Sequence, residues 1–485
     1  MATHGVVAVS TELVSDLITP VAAFLRLTQG SGTRVLLEST DNSKRFGRFS
    51  ILVIDTRETV VIDGGADAFA QLDRLNTSVG SVWRGDSLAE LPFVAGVVFA
   101  LGFECFGELE SVGASPQSDL IASPQAVLCT PTNVVVFDHW HQRVTLIHNI
   151  FRDDVIGDNA EAFDRAYQDG LDALDSMIAL GATPNEEPVL VVDQIAVAQT
   201  DPFTEWKAAW TAHDYADAVE RMRDHIAAGD IFQAVPSTAF VAPFSPDMLM
   251  VYRALRHLNP SPYLYFFETP VLKLAGASPE ALVRIAGDNV LTRPIAGTRG
   301  RGVTDAEDAE LAADLLADAK EIAEHVMLVD LARNDLGRIA EFGTVHVSQF
   351  QQVELFSHVM HICSTVEATK RRDVSAVDVL RSVFPAGTLS GAPKIRAVQL
   401  INEIEATPRG LYGGVVGYLD ASGNLDAAIC IRTLMQNKDG VTWTQAGGGI
   451  VNDSVPTVEA DEVRRKAGAV VAAALIAQGF ADNRG

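Results

Sequence analysis

The chain has 485 residues, of which 48% are hydrophobic and 21% charged, the proportions of a folded globular protein large enough for two or three domains. Its 63 acidic and 37 basic residues leave a net charge of −26, a field that repels phosphate backbones and anionic lipid, so nucleic acid and membrane surfaces are not expected partners. An anionic substrate would need a local cation, an Arg, a Lys or a bound metal, to overcome that field. The cysteines Cys105, Cys129, Cys363 and Cys430 are scattered and form no C-x-x-C pair, which argues against a disulfide framework or thiolate zinc site and for a reducing, cytoplasmic setting. The N-terminus has no basic segment followed by an apolar one, and the apolar run Phe93 to Phe103 is too short to span a bilayer.

Period-2 and fully apolar runs predict strands at 34–38, 49–55, 59–63 and 133–137, and a 3.6-residue period through Phe163, Tyr167, Leu171, Leu174 and Ile178 predicts a helix over 158–180. A polar stretch at 181–188, a strand-like run and Thr200-Asp-Pro-Phe203 mark a junction, so the chain divides into 1–200 and 201–485. Beyond it a helix is expected over 214–228, closed by Gly229, then strands at 231–235, 264–267, 272–274 and 282–285. One long acidic helix over 304–333 follows, then helices over 374–383, 394–404 and 458–477. Helices and strands mix without regular alternation and no repeat period stands out, which predicts an α+β fold.

Standard signatures fail. Gly387-Thr-Leu-Ser-Gly-Ala-Pro-Lys394 lacks the ending of a P-loop, Gly297-Thr-Arg-Gly-Arg-Gly302 is not G-x-G-x-x-G, and neither Ser278 nor Ser390 sits in G-x-S-x-G. Two carboxylate pairs do stand out: Glu321 with Glu324, and Glu459 with Glu462, each three residues apart on one helix face. Taken alone they read as solvated acidic faces; brought together they would suit a hard cation such as Mg²⁺. The position after Glu321 where a di-iron site wants His holds Glu324, which disfavours iron. Glycines at 297–302, 413–414 and 447–449 permit turns or close ligand approach, with Arg299, Tyr412 and Arg432 nearby in sequence to bind carboxylates. In Phe356-Ser-His-Val-Met-His361, a strand would point His358 and His361 to opposite faces, leaving one for proton transfer.

Together, Gly276-Ala-Ser-Pro-Glu280, Arg293-Pro-Ile-Ala-Gly-Thr-Arg299, the run Glu324 to Arg338, Phe384 to Lys394 and Ala446-Gly-Gly-Gly-Ile450 resemble the chorismate-utilising enzymes, and within them the large subunits (component I) of anthranilate synthases. The resemblance implies an α+β fold with a large mixed or antiparallel sheet core, flanking helices and an active site in a buried cleft. It implies Mg²⁺ held by Glu321, Glu324, Glu459 and Glu462, Glu280 as the acid that protonates the departing C4 hydroxyl, and Tyr412 and Arg432 on the enolpyruvyl carboxylate. Gly447, Gly448 and Gly449 would approach the ring carboxylate, with Thr298 and His361 as further active-site groups and His361 tied to pyruvate elimination. Water-using relatives have a Lys base where this chain has Gln233, and aminodeoxychorismate synthases commonly have Lys where it has Ala296; both differences favour an ammonia-using anthranilate synthase. Two alternatives stay open: a relative that stops at the aminated intermediate, and a non-catalytic tryptophan-binding regulator.

The same resemblance implies feedback control by L-tryptophan at a site built from the N-terminal region, with Glu38, Ser39, Pro262, Tyr263 and Leu264 as its residues. Ammonia would come from glutamine through a separate amidotransferase subunit, since none of the cysteines has a nucleophile's context and the sequence runs only a few residues past its last helix.

Overall fold

The computed structural model describes residues 4–28, 30, 32–39, 47–116, 118, 120–157, 159–184, 187, 190, 201–356 and 359–482. Twenty of its strands are hydrogen-bonded into one continuous sheet. Its ladders are antiparallel except where Val6–Val7 run parallel to Val82–Trp83. With 11 α-helices flanking the sheet among the described residues, the architecture is the expected α+β one.

Alternation along single strands builds two cores. Val35, Ile51 and Val53 join one hydrophobic cluster while their neighbours Leu36, Leu52 and Ile54 join another, because successive side chains leave opposite faces of the sheet. The strand Arg34–Glu38 lies between Phe49–Ile62 and Tyr263–Glu268, pairing Leu36 with Leu52 and Glu38 with Leu264. The N-terminal strands therefore extend the same sheet as the later ones. The expected junction lies largely outside the described residues, as does the boundary at 200.

Most helices stand where the apolar period puts them: Ala160–Gly181, Ala212–Ala227, Ala376–Val383, Lys394–Ile404 and Pro456–Asp482. Three local expectations are corrected. The long acidic helix is two, Asp305–Ala317 and Ala319–Gly337, because Asp318 adopts an extended ψ and its carboxylate accepts from Lys320 N and Glu321 N as the cap of the second. The two short strands near residue 55 are one, Phe49–Ile62, whose register shifts absorb the polar interruption. Only Gln233–Ala234 of the 231–235 run pairs as a strand, with Gly391–Ala392.

The apolar run at 93–103 holds the strand Gly96–Leu101, buried along its whole length between Ala126–Asp138 and Val415–Asp420. A strand covered on both faces has no polar alternation to show.

Candidate active site

Glu280 sits in the turn from strand Leu272–Ser278 to strand Ala281–Ala286, anchored by Ile429 N donating to its carbonyl at 3.0 Å. Its side chain is buried, and Thr388 Oγ1 donates to Oε1 at 2.9 Å. Burial pushes the carboxyl up to about 8, although Thr388 and the charge of Lys466 pull the other way. It is therefore largely a neutral acid at pH 7, able to donate a proton.

His361, on strand Val359–Thr369, pairs across the ladder with Thr298. Its Nδ1 lies 3.1 Å from Gly297 O and 3.0 Å from Thr298 Oγ1. A carbonyl only accepts, which places the ring proton on Nδ1 and leaves the lone pair on Nε2. Burial pushes the imidazole down to about 4, so it is neutral and can act as a base. Gly297, at φ +73°, takes a left-handed turn beside the Glu321 carboxylate, and a Cβ there would lie 3.2 Å from Glu321 Oε2.

Opposite these, Tyr412 is buried and Arg432 Nη1 donates to Lys466 O at 2.7 Å. Burial pushes the Tyr412 hydroxyl well up and the Arg432 guanidinium down from its usual value. Gly447 ends strand Thr442–Gly447; Gly448 N donates to Tyr215 Oη at 3.1 Å, and a Cβ on Gly449 would sit 2.8 Å from Gln233 Nε2. Behind this wall Arg409, fully buried, pairs with Glu405 at 2.6 Å, donates to Leu389 O and Val235 O, and stacks on Phe103 and Tyr412. The stretch around Phe103 thus has a structural role.

The two carboxylate pairs project from helices Ala319–Gly337 and Pro456–Asp482. Glu324 Oε1 accepts from Gln233 Nε2 at 2.8 Å, and Glu321 lies 3.6 Å from Arg299 Nη1. Burial pushes Glu321, Glu324 and Glu459 up, with Glu321 adding to the rise of Glu324 and Glu462 to that of Glu459. For Glu462 burial is outweighed by Lys466, 2.7 Å away, and its carboxyl ends below its usual value. Among the described residues no three His, Cys, Asp or Glu side chains converge tightly enough to cage an ion by themselves. Each pair, Glu321 with Glu324 and Glu459 with Glu462, crowds its own charges and offers the hard oxygen donors that suit Mg²⁺, which takes few protein carboxylates and completes its shell with water and substrate oxygens.

Four side chains escaped the sequence reading. Lys466, one turn after Glu462, places Nζ 3.1 Å from Gly447 O, directly at the glycine wall; its spacing from Glu462 was the available signal. Thr388 lies inside a motif whose residues carried no individual role. Asp335 and Lys394, from two such motifs, form a buried pair at 2.9 Å that ties helix Ala319–Gly337 to the start of Lys394–Ile404. His358 lies outside the described residues.

A separate cavity of about 260 Å³ gathers all five residues expected for tryptophan, Glu38, Ser39, Pro262, Tyr263 and Leu264. The Glu38 carboxylate is taken by Tyr252 and by Arg256 Nε, so Glu38 contributes wall and no free charge. Arg284 and Asp426, 3.7 Å apart, line the same cavity, and Tyr263 Oη donates to Asp426 at 2.9 Å.

Residues 32–472 match the chorismate binding enzyme family. The chain belongs to it. Anthranilate synthase component 1 of Pseudomonas aeruginosa is 39% identical over 490 aligned residues, covering 97% of this chain and 96% of that protein. The crystal structure of anthranilate synthase component I from Streptococcus pneumoniae superposes with a TM-score of 0.76 at 32% identity, over 95% of this chain and 99% of that one. The menaquinone-specific isochorismate synthase of Escherichia coli shares the fold, with a TM-score of 0.73 at 19% identity, over 97% of this chain and 95% of that one.

Proposed function

We infer that the protein is the large subunit of an anthranilate synthase, joining ammonia to chorismate and eliminating pyruvate to leave anthranilate. The observation that carries this reading is near-full-length similarity to component 1 enzymes combined with a cleft holding a neutral acid at Glu280 and a neutral base at His361. Arg432 and Tyr412 bind the enolpyruvyl carboxylate; Lys466 and the Gly447–Gly449 backbone meet the ring carboxylate, which answers the charge problem posed by −26. Glu280 donates its proton to the C4 hydroxyl as ammonia bonds to C2. His361 Nε2 then removes the C2 proton while the enolpyruvyl group departs, with Thr298 holding the ring. Mg²⁺, held by Glu321, Glu324, Glu459 and Glu462, would supply positive charge against the ring carboxylate.

Gln233 supports an ammonia-using enzyme, because an amide cannot act as the base that water would need. Its Oε1 is buried with no hydrogen-bond partner among the described residues. The alternatives that stop at an aminated intermediate or bind tryptophan without catalysis gain nothing from the cleft, which retains a base for the elimination step.

The reading includes a glutamine amidotransferase partner. All four cysteines are buried and free, and burial pushes Cys430 up to about 11 and Cys129 to about 12, so none is a nucleophilic thiolate. It also includes feedback by L-tryptophan in the cavity at Ser39, with the Arg284–Asp426 pair as its polar corner, and a cytoplasmic setting. No helix among the described residues is long and apolar enough to cross a membrane. Incubation with chorismate, ammonium and Mg²⁺ tests the assignment: fluorescent anthranilate and an equal amount of pyruvate are expected.

A further inference from the structure

A smaller cavity of about 50 Å³ adjoins Glu280, and Thr292, Thr388, Asp335, Leu331 and Ala332 help to form its wall. His361, Tyr412, Arg432 and Gly447–Gly449 do not line it, so of the groups given these roles Glu280 is the one the cavity reaches. Thr292 is 6% exposed and its Oγ1 has no hydrogen-bond partner among the described residues. A space of this size holds one or two waters, each of which takes roughly 30 Å³ in the liquid, and a buried unpaired hydroxyl is the kind of group an ordered water satisfies. The other charged groups at the wall are committed: Asp335 to Lys394 at 2.9 Å, and Arg293 to Glu354. Neither pair is set to hand a proton to Glu280.

We propose that this cavity is a water-filled proton-return path, through which Glu280 is recharged from solvent once per turnover. The proposal rests on the acid role given to Glu280 above. When the substrate C4–O bond breaks, the Glu280 O–H bond breaks with it and the hydroxyl leaves as water. The carboxylate then takes a proton from a water near Thr292, which is replenished from outside past Ala332. The proton account closes because ammonia, on bonding to C2, becomes an ammonium that releases one proton to solvent. Without the path, Glu280 would be reprotonated only through a cleft filled by substrate or product.

Three variants test it. Thr292→Val removes the hydroxyl at nearly constant shape, Thr292→Ser keeps it, and Ala332→Leu fills the outer part of the cavity. For Thr292→Val and Ala332→Leu, kcat is expected to fall about tenfold or more with chorismate KM unchanged, and the solvent deuterium isotope effect on kcat to rise; Thr292→Ser should behave as the parent protein. Unchanged kcat and isotope effect in Thr292→Val would make the cavity a packing defect and overturn the proposal. A raised KM for ammonium with kcat intact would assign the cavity to nucleophile entry and overturn it as well. Glu280→Gln separates the two levels: if that variant kept full activity the acid role would fail, whereas an inactive Glu280→Gln beside normal cavity variants would sink the return path alone.

Discussion

In the catalytic cleft, charged side chains reach their places from helix faces and strand ends and are held by further charges: Lys466 against Glu462 and Arg299 against Glu321, both partly exposed, and the buried pair Arg409 with Glu405 behind Tyr412. The cavity around Ser39 is built differently. It forms where strand Arg34–Glu38 pairs with Tyr263–Glu268, and its wall is mostly aromatic and aliphatic, with the Arg284–Asp426 pair as a polar corner. Yet the two regions share a strand: in Leu425–Ile429, Asp426 and Ala428 face the cavity while Ile429 N holds the Glu280 carbonyl. The contrast suggests a division of labour, in which changes in the cleft alter chemistry and changes in the cavity wall alter only the response to a ligand.

The contrast breaks first on nitrogen source. Because neither region contains a thiolate nucleophile, the purified chain should make no anthranilate from glutamine, and adding an amidotransferase subunit should restore it; robust glutamine use by the chain alone would refute the partner. Next in size is Glu280→Gln, for which kcat should drop roughly a thousandfold with chorismate KM little changed, since general acid catalysis is typically worth about 10² to 10⁴. Its pH dependence follows from the carboxyl being raised to about 8: the neutral donor dominates at pH 7 and is lost as pH rises through 8. At fixed free ammonia, kcat/KM for chorismate, which reports the groups of the free enzyme, should be level near pH 7 and fall above 8, and a profile without that limb would contradict the assignment.

Glu324→Gln and Glu462→Gln should each cost about a hundredfold in activity at fixed Mg²⁺, partly recovered at higher Mg²⁺, because loss of one anionic oxygen would weaken the proposed cation site. Glu310→Gln, on an exposed face of the preceding helix, should cost nothing measurable. Equal behaviour of the three would return the acidic pairs to solvated surface. The smallest effect belongs to the cavity: Ser39→Phe should weaken tryptophan inhibition about tenfold while the uninhibited rate stays within twofold, the scale expected from overfilling an apolar site. Inhibition that stays the same would remove Ser39 from the site.

What was legible in the sequence was what short-range periodicity or a shared motif encodes. The i, i+3 carboxylates, the strand at 34–38 and the helix at 394–404 depend on residues close in sequence, and the structure places them there. Asp318 hid its helix break because the acidic composition around it remains helix-compatible, and only its cap hydrogen bonds reveal the start of a new helix. The Arg409 network joins residues from Phe103 to Tyr412, and no local pattern announces contacts across three hundred positions. Lys466 was passed over because a Lys one turn after a Glu is usually a surface pair; the glycine wall that makes it part of the cleft comes from another element. The family resemblance brought Glu38, Ser39 and 262–264 to one site, but the pairing of 34–38 with 263–268 likewise has no signal in either strand's own residues.

Product identification tests the central claim most directly. Chorismate, ammonium and Mg²⁺ incubated with the purified chain should yield anthranilate and pyruvate in equal amounts, with no accumulating intermediate, because His361 offers an unprotonated Nε2 for the elimination. A non-aromatic aminated product that builds up without pyruvate would contradict the account.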